Sequence, residues 1–467
     1  MPIKFYNTLT KQKDEFKPNI EGEVKLYTCG PTVYDTAHIG NFRTFIFEDL
    51  LKRFLLLKGY NVTHIMNLTD VDDKTIQRSN SDNISITALT EKYIKLFFDD
   101  LKTLKIIPAD HYPKATEHVS EMIKMIEKLL DNGYAYKSND NSVYFKINKF
   151  EKYGTLANLK FTEQKKTQRI AFDDYSKDNP QDFVLWKAWK MDDGEVFWNS
   201  PWGKGRPGWH IECSAMSTKY LGNNFDIHCG GVDNVFPHHE NEIAQSECAN
   251  NQKFVNYWLH SEHLLVDGGK MSKSAGNFYK ISDLIDEGFT PEALRYLLLS
   301  GHYRTNINFS IDKKHEALKV IQRINVFYER ILDLSEKCDK TNELPKEYDS
   351  FESALDDNLN TPEAFAVFFD WMRKTNIKID SNSLEDNEII SAVNFVDNFN
   401  SIFDLVTKIS NVPSDVINLV NEREEARKSK NWVKADSLRN QILEMGWIIE
   451  DKPDGYKLKP VLEKQYS

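Results

Sequence analysis

The amino-acid sequence predicts an α/β protein: a parallel-sheet domain split by an insertion, then an α-helical bundle and a small C-terminal α+β module. Three observations carry this expectation. Between residues 24 and 66 an apolar strand runs into a glycine-bearing turn, a segment of helical periodicity and a second strand. That order is the βαβ unit of a parallel, Rossmann-type sheet. From residue 115 to residue 202 the pattern changes to one helical stretch, alternating aromatics and a charged run, which reads as an insertion between two halves of the sheet. Beyond residue 312 the apolar residues fall at helical spacing. The expected divisions are 1–114 and 203–311 for the two halves, 115–202 for the insertion, 312–410 for the bundle and 411–467 for the terminal module.

Each element has its own local reason. Val24 to Thr28 is the first strand, and the turn Cys29-Gly30-Pro31-Thr32-Val33-Tyr34-Asp35 leads on to His38-Ile39-Gly40-Asn41. From Phe42 to Lys58 the residues Phe42, Phe45, Ile46, Leu50, Phe54 and Leu57 recur at near-helical spacing, and Gly59 ends the run before the strand Val62 to Met66. In the insertion a helical stretch through Leu130 precedes alternating Tyr134, Tyr136, Val143, Tyr144, Phe145 and Ile147, and the run from Thr162 to Gln181 is charged and irregular. Asp182 to Lys187 leads back to the second half, where Pro237 marks a helix start that puts His238 and Glu242 on one face. Thr290-Pro291 is an N-cap followed by proline at the first helical position. Long amphipathic segments run from Asp312 to Leu334 and from Tyr348 to Val406, with polar linkers around Thr341 and Ser381. The tail reads as a charged helical hairpin from Glu422 to Glu444 and a β hairpin made by residues 446–449 and 455–458.

Composition narrows the class. The 467 residues, 40% of them hydrophobic, suffice for about three domains by the usual size prior. No apolar run reaches the roughly 20 residues of a membrane span, and Met1-Pro2-Ile3-Lys4-Phe5 lacks a signal peptide's apolar core, so a cytoplasmic protein without a membrane partner is expected. Five cysteines at irregular spacing argue for reduced thiols or metal ligands rather than a disulfide framework. A net charge of -11 argues against a general nucleic-acid coat, though not against a local basic track. No heptad or apolar surface run appears, which favours a monomer.

Two short motifs carry chemistry. Lys270-Met271-Ser272-Lys273-Ser274, flanked by Gly268-Gly269 and Gly276, sets two ammonium groups and two hydroxyls beside glycines that let backbone approach a phosphate. Taken alone, such a run is as readily a solvated loop. His38 and Gly40 fall at a helix N-terminus beyond the first strand, where anions are favoured; alone, that histidine reads equally as a cap. Cys29, Cys213, His238 and Glu242 could form a tetrahedral zinc set. Their spacing alone does not nominate one, since no Cys-x-x-Cys pair exists and buried structural cysteines fit as well.

Together, His38-Ile39-Gly40 and Lys270 to Ser274 resemble the paired ATP-clasping motifs of the class I aminoacyl-tRNA synthetases. Cys29 to Asp35, Gly205-Arg206-Pro207-Gly208-Trp209-His210-Ile211-Glu212-Cys213-Ser214, Phe225 to His228 and Pro237 to Glu242 are similar to the cysteinyl-tRNA synthetase family over nearly the whole chain. The resemblance implies a catalytic parallel-sheet domain that uses ATP with Mg2+ to activate L-cysteine and charges tRNA(Cys). It implies ATP contacts from His38, Gly40, Asn41, Lys270, Ser272, Lys273 and Ser274, with His38, Lys270 and Lys273 stabilising charge at the phosphates. It implies one zinc ion per chain on Cys29, Cys213, His238 and Glu242, to which the substrate thiolate adds. Thr69, Trp209, His228 and Asp233 would surround the amino acid, with Asp233 suited to its ammonium group. Asn41 departs from the family's usual second histidine; it can donate a hydrogen bond but carries no positive charge.

The insertion would cover the acceptor end of tRNA, and the tail would read the anticodon. Ten basic and ten acidic residues from Asn411 onward leave that tail neutral while the body carries the negative charge. Trp432 or Trp447 could stack on unpaired bases or pack the module. Cys229, Cys248 and Cys338 are expected to be small buried side chains. Three other readings stand beside this one: a ligase joining cysteine to an amino sugar, a nucleotidyltransferase with a His-x-Gly-His motif, and a catalytically silent RNA-binding paralogue. The first would lack the tail, the second would need no zinc ligands, and the third would have lost His38 or the lysines.

Overall fold

The computed structural model describes residues 2–159, 181–271, 277–407, 414–452 and 455–460. A short hairpin, β1 (Lys4–Asn7) and β2 (Gln12–Glu15), precedes the expected βαβ unit of β3 (Glu23–Thr28), α1 (Ile39–Leu57) and β4 (Asn61–Met66). β3 and β4 pair in parallel from Glu23 opposite Asn61 to Thr28 opposite Met66. Helix α1 forms because Phe42, Phe45, Ile46, Leu50 and Phe54 present an apolar stripe to the sheet, and it starts three residues before the expected point because His38 caps it. Next come α2 (Asp73–Asp82), α3 (Ile86–Thr103) and the insertion's α4 (Val119–Asp131).

The insertion carries its own antiparallel sheet. Its strands β5 (Ala135–Lys137), β6 (Val143–Phe145), β7 (Phe183–Ala188), β8 (Trp198–Ser200) and β9 (Gly203–Pro207) lie in the order β5-β6-β7-β9-β8, so this sheet extends five residues past the boundary expected at 202, because β9 pairs with β7 and β8. The chain re-enters the central sheet through α5 (Trp209–Leu221), β10 (Phe225–Gly231), α6 (Glu240–Asn250) and β11 (Val255–Ser261), giving the parallel order β11-β10-β3-β4. Connections leave β3 and β10 toward opposite edges, so the crevice between their carboxyl ends is the topological switch point where ligands of such sheets bind.

A small sheet follows from β12 (Leu264–Val266) and β13 (Gly269–Lys270), joined after α7 (Ile281–Asp286) and α8 (Pro291–Leu299) by β14 (Ile307–Phe309). The bundle is α9 (Lys314–Ser335), α10 (Glu347–Asp356), α11 (Thr361–Asp380) and α12 (Asp386–Phe403). The segment expected to run from Tyr348 to a break near Ser381 is thus two helices: Asn358 and Leu359 take left-handed φ values of 66° and 52°, and the Asn360 side chain caps the next helix. The terminal module is α13 (Ser414–Lys428), α14 (Trp432–Glu444) and the hairpin β15 (Trp447–Lys452) with β16 (Gly455–Pro460).

One apolar cluster runs from the sheet into the bundle, from Leu26 and Phe54 to Phe368 and Phe403. A buried ion network pins the two together: Asp49 Oδ2 accepts from Arg53 Nε and Arg295 Nη2, both at 2.8 Å. Arg295 also donates to the carbonyls of Phe403 and Leu104 at 2.9 Å each. Breaking such a buried pair strands charge away from water. Cys229 and Cys248 are buried as expected, but Cys338 is only half-buried, because it follows the last turn of α9, where the chain leaves the bundle. Nearly all of the charged run from Thr162 to Gln181 lies outside the described residues, and no helix among those described is long and apolar enough to cross a membrane.

Candidate active site and metal-ligand cluster

The residues at the switch point are brought there by close backbone approaches. Cys29 follows β3 directly, and its N–H faces the Cys229 carbonyl of β10 at 3.4 Å. Gly30 has room for nothing larger, since a Cβ there would lie 1.8 Å from the Asn67 carbonyl oxygen. At the end of β10 the same holds for Gly230, where a Cβ would come within 2.8 Å of the His239 ring. These glycines let the strand ends close around the imidazoles.

Cys29, Cys213 on α5, His238 and Glu242 on α6 converge there. One ligand atom from each lies within 4.8 Å of the others. Cys213, His238 and Glu242 are buried, and Cys29 is partly exposed. The helix start expected at Pro237 is present: Phe236 is extended (φ -140°, ψ 131°), and from Pro237 the backbone runs helically through His238 and His239 into α6. His238 Nε2 lies 3.1 Å from Glu242 Oε1. That carboxylate oxygen is buried without a hydrogen bond among the described residues, a deficit a cation would remove. Two soft sulfurs, an imidazole nitrogen and one carboxylate oxygen at this separation form a set that could hold a metal ion.

A second tier of histidines braces the quartet. His210 Nδ1 lies 2.8 Å from His238 Nδ1, His228 Nε2 lies 3.0 Å from Glu242 Oε2, and His239 Nε2 lies 3.4 Å from Cys29 Sγ. His239 continues to His260 at 2.8 Å, and His260 to Thr8 Oγ1 at 2.8 Å. His228 and His239, with Cys29 and Glu242, form an overlapping set of possible ligands. Burial drives the His228, His210 and His260 imidazoles down to about 3 and His238 and His239 well below their ordinary value. Burial pushes the Glu242 carboxyl well up, while a hydrogen bond to Cys213, then burial, raises the Cys29 thiol. A protein-only cluster is therefore held neutral, and a divalent ion would reverse that preference.

The other expected residues surround this cluster unequally. Trp209 is 39% exposed and stacks on the His238 ring at 4.2 Å. His228 is fully buried behind Glu242, stacked on Trp258 at 4.6 Å. Thr69 is buried, and its backbone pairs with Pro31 and Val33 beyond β3, both at 3.1 Å. Asp233 is exposed beyond β10, folded so closely over Gly231 that a Cβ on that glycine would meet its carboxylate at 2.5 Å. His210, His239 and His260 carried no expectation; the signal available was their adjacency to Trp209, to His238 and to the end of β11.

His38 and Asn41 sit at the half-exposed N-terminus of α1. The His38 N–H donates to Asn41 Oδ1 at 3.0 Å, and the Asn41 N–H donates to His38 Nδ1 at 3.2 Å, a reciprocal capping box. The His38 ring also meets the Phe278 ring edge at 5.0 Å, and the Ile39 N–H donates to the Tyr279 carbonyl at 2.9 Å. A Cβ on Gly40 would lie 2.6 Å from Met271 Cε. Both flanks of the lysine motif thus rest on the start of α1. Ser272, Lys273, Ser274 and the Lys270 side chain lie outside the described residues. In the terminal module Trp432 is 58% exposed, whereas Trp447 packs on the buried cluster of Val416, Val420, Ile442 and Ile449.

A parallel sheet whose first helix is capped by a histidine, with Met271, Phe278 and Tyr279 packed at the start of that helix, is the arrangement of a class I aminoacyl-tRNA synthetase. The family model described as tRNA synthetases class I (C) catalytic domain matches residues 15–319, the DALR domain matches 350–409, and the cysteinyl-tRNA ligase anticodon binding domain matches 410–456. Mycobacterium tuberculosis methionyl-tRNA synthetase in complex with methionyl-adenylate shares the fold at a TM-score of 0.59 and 13% identity, covering 81% of this chain and 89% of that one. The cysteine–tRNA ligase of Brachyspira hyodysenteriae is 51% identical over 472 residues, 98% of this chain and 99% of its own length. That of Chlamydia trachomatis serovar A is 49% identical over 476 residues, covering 98% and 100%. The chain belongs to the cysteine–tRNA ligase family and is an enzyme that joins cysteine to tRNA(Cys).

Proposed function

We propose that the enzyme condenses L-cysteine with Mg2+-bound ATP and then charges tRNA(Cys), with one zinc ion held by Cys29, Cys213, His238 and Glu242. The cysteine carboxylate attacks the α-phosphorus, the bond to the β-phosphate oxygen breaks, and pyrophosphate leaves. A terminal ribose hydroxyl of tRNA then attacks the adenylate's carbonyl carbon and AMP leaves. The carboxylate is already ionised at neutral pH, so the first step needs positioning and charge stabilisation rather than a general base.

The observation that carries this reading is the convergence of two thiols, an imidazole and a carboxylate at the switch point of a sheet whose neighbouring helix begins at His38. A bound zinc ion supplies a soft Lewis acid for which a thiolate is a far better ligand than a hydroxyl, so cysteine is separated from serine without an editing domain. His210 and His228 fix the rings and oxygens of the ligands, and Trp209 covers the His238 ring. Asp233 faces the substrate ammonium, and Thr69 shapes the floor of the pocket. Because His38 Nδ1 accepts from the helix backbone, its ring proton sits on Nε2 and can be donated to an α-phosphate oxygen. Gly40 gives backbone access, and Lys270, Ser272, Lys273 and Ser274 take the departing pyrophosphate.

The match of residues 410–456 to an anticodon binding domain favours tRNA over an amino-sugar acceptor. In that module Trp432 is the tryptophan free to stack on a base. Every residue named belongs to one chain, which suits a monomer, and ATP and tRNA are cytoplasmic pools. Pyrophosphate exchange tests the reading. Exchange with cysteine should exceed exchange with serine by about 10^4, and it should collapse on chelation or in Cys213→Ser. Equal exchange with the two amino acids would overturn it.

A further inference from the structure

Between the proposed metal ligands His238 and Glu242 stand a carboxylate and an amide whose partners lie in the insertion. Glu240, the first residue of α6, is fully buried. Its Oε1 accepts from the Gly154 N–H at 2.6 Å and its Oε2 from the Ala157 N–H at 2.9 Å. Two backbone donors of the insertion, three residues apart, thus close on the two oxygens of one carboxylate. The next residue repeats the arrangement, with the buried Tyr153 hydroxyl donating to Asn241 Oδ1.

The segment held in this way is a wall of the metal cluster. Leu156 is buried in the same apolar cluster as Tyr27, Cys213 and Ile243, and Cys29 and Phe150 pack against that cluster. His238 lies two residues before Glu240, and Glu242 two residues after it. One short stretch of chain thus points two ligands at the metal and two anchors at the segment that shields it. A buried carboxylate answered by backbone N–H groups is costly to leave unsatisfied, so the anchor holds only while residues 153–157 stay seated.

We infer that Glu240 is a positioning residue that locks residues 153–157 of the insertion over the metal cluster and thereby sets how slowly the metal leaves. The inference rests on the zinc reading, and its measurement does not depend on aminoacylation. Zinc release from the purified full chain is followed with an excess of a colorimetric zinc chelator, well below the melting temperature. Loss of an outer partner of a metal site typically costs about 10–100-fold in affinity, so Glu240→Ala should release zinc at least about tenfold faster than the wild type. Tyr153→Phe removes the hydroxyl that donates to Asn241 while leaving Glu240 in place, and should accelerate release by a smaller factor. Glu247→Gln, which alters a carboxylate near the other end of the same helix (3.2 Å from the Phe254 N–H), should leave the rate unchanged.

If Glu240→Ala does not fold, Tyr153→Phe decides the matter alone. Zinc present in both variants and released at the wild-type rate would overturn this inference and leave the zinc reading intact. A wild-type chain that holds no zinc would overturn both. Acceleration in Glu247→Gln equal to that in Glu240→Ala would reduce the effect to general loosening of α6 and overturn the specific role of the anchor.

Discussion

The proposed metal cluster and the proposed phosphate-handling arm stand in opposite physical situations. The cluster draws Cys29, Cys213, His238 and Glu242 from separate elements, buries three of them, and braces them with His210, His228 and His239. The arm keeps His38 and Asn41 at the half-exposed start of one helix, bonded mainly to each other. The contrast follows from the task. Telling a thiol from a hydroxyl requires donor atoms fixed by their surroundings, while ATP must enter and pyrophosphate must leave, which short-range bonds at a helix end allow. Substitutions in the cluster should therefore change metal content and cysteine affinity, and substitutions in the arm should change rate.

The sharpest way to break this division is Lys273→Ala. Removing one charge-stabilising group from a preorganised site costs about 10^2–10^3 in rate. Adenylate formation should fall by that factor in single-turnover assays, while cysteine binding and zinc content stay at wild-type values. A parallel loss of cysteine affinity would mean that the arm and the cluster are not separable.

The same contrast governs what was legible in the sequence. The βαβ unit was readable because Phe42, Phe45, Ile46, Leu50 and Phe54 follow helical period beside two apolar strands. The four ligand candidates were not readable from spacing, because chain separation does not report which strand ends meet; only the likeness to a family joined them. The strands Trp198–Ser200 and Gly203–Pro207 escaped notice, since Pro201, Gly203, Gly205 and Pro207 read as turn residues and no period-2 pattern survives among them. Glu240 and Asn241 carried no expectation of their own in the sequence. The partners of Glu240 are backbone amides and that of Asn241 a tyrosine hydroxyl, all some 85 residues away, a separation that local pattern does not report.

A smaller effect separates the two regions by pH. Asp100 on α3 faces Asp99 and Asp283, and its Oδ2 is buried without a hydrogen-bond partner among the described residues. Asp283 in turn accepts from the Lys280 N–H at 3.0 Å at the start of α7, the helix that follows the lysine motif. Burial first, then the two carboxylates, raise Asp100 to about 7. Its folded value lies above its unfolded one, so the stability it contributes is complete below about pH 4 and is lost as pH rises toward 7. Asp100→Asn should therefore melt progressively higher than the wild type between those limits, with the gap constant above them. A gap that does not change between pH 4 and 7 would remove this source of pH sensitivity from the arm's side of the molecule.

The smallest effect tests what Asn41 contributes. An oxygen that accepts from the His38 N–H is a capping group, and losing such a group costs about 1 kcal/mol. If all of that reached the barrier, the rate would fall only about fivefold. Asn41→Ala should lower the melting temperature slightly and slow exchange within that bound, with cysteine affinity unchanged. Asn41→Asp retains the accepting oxygen and should hold the wild-type melting temperature, even where its charge weakens ATP binding. The residue then matters by turning His38 toward the phosphates rather than by touching them. A hundredfold loss in Asn41→Ala, matching Lys273→Ala, would instead make Asn41 a direct phosphate ligand, and the bonds at this helix end would carry far more of the reaction than their exposure suggests.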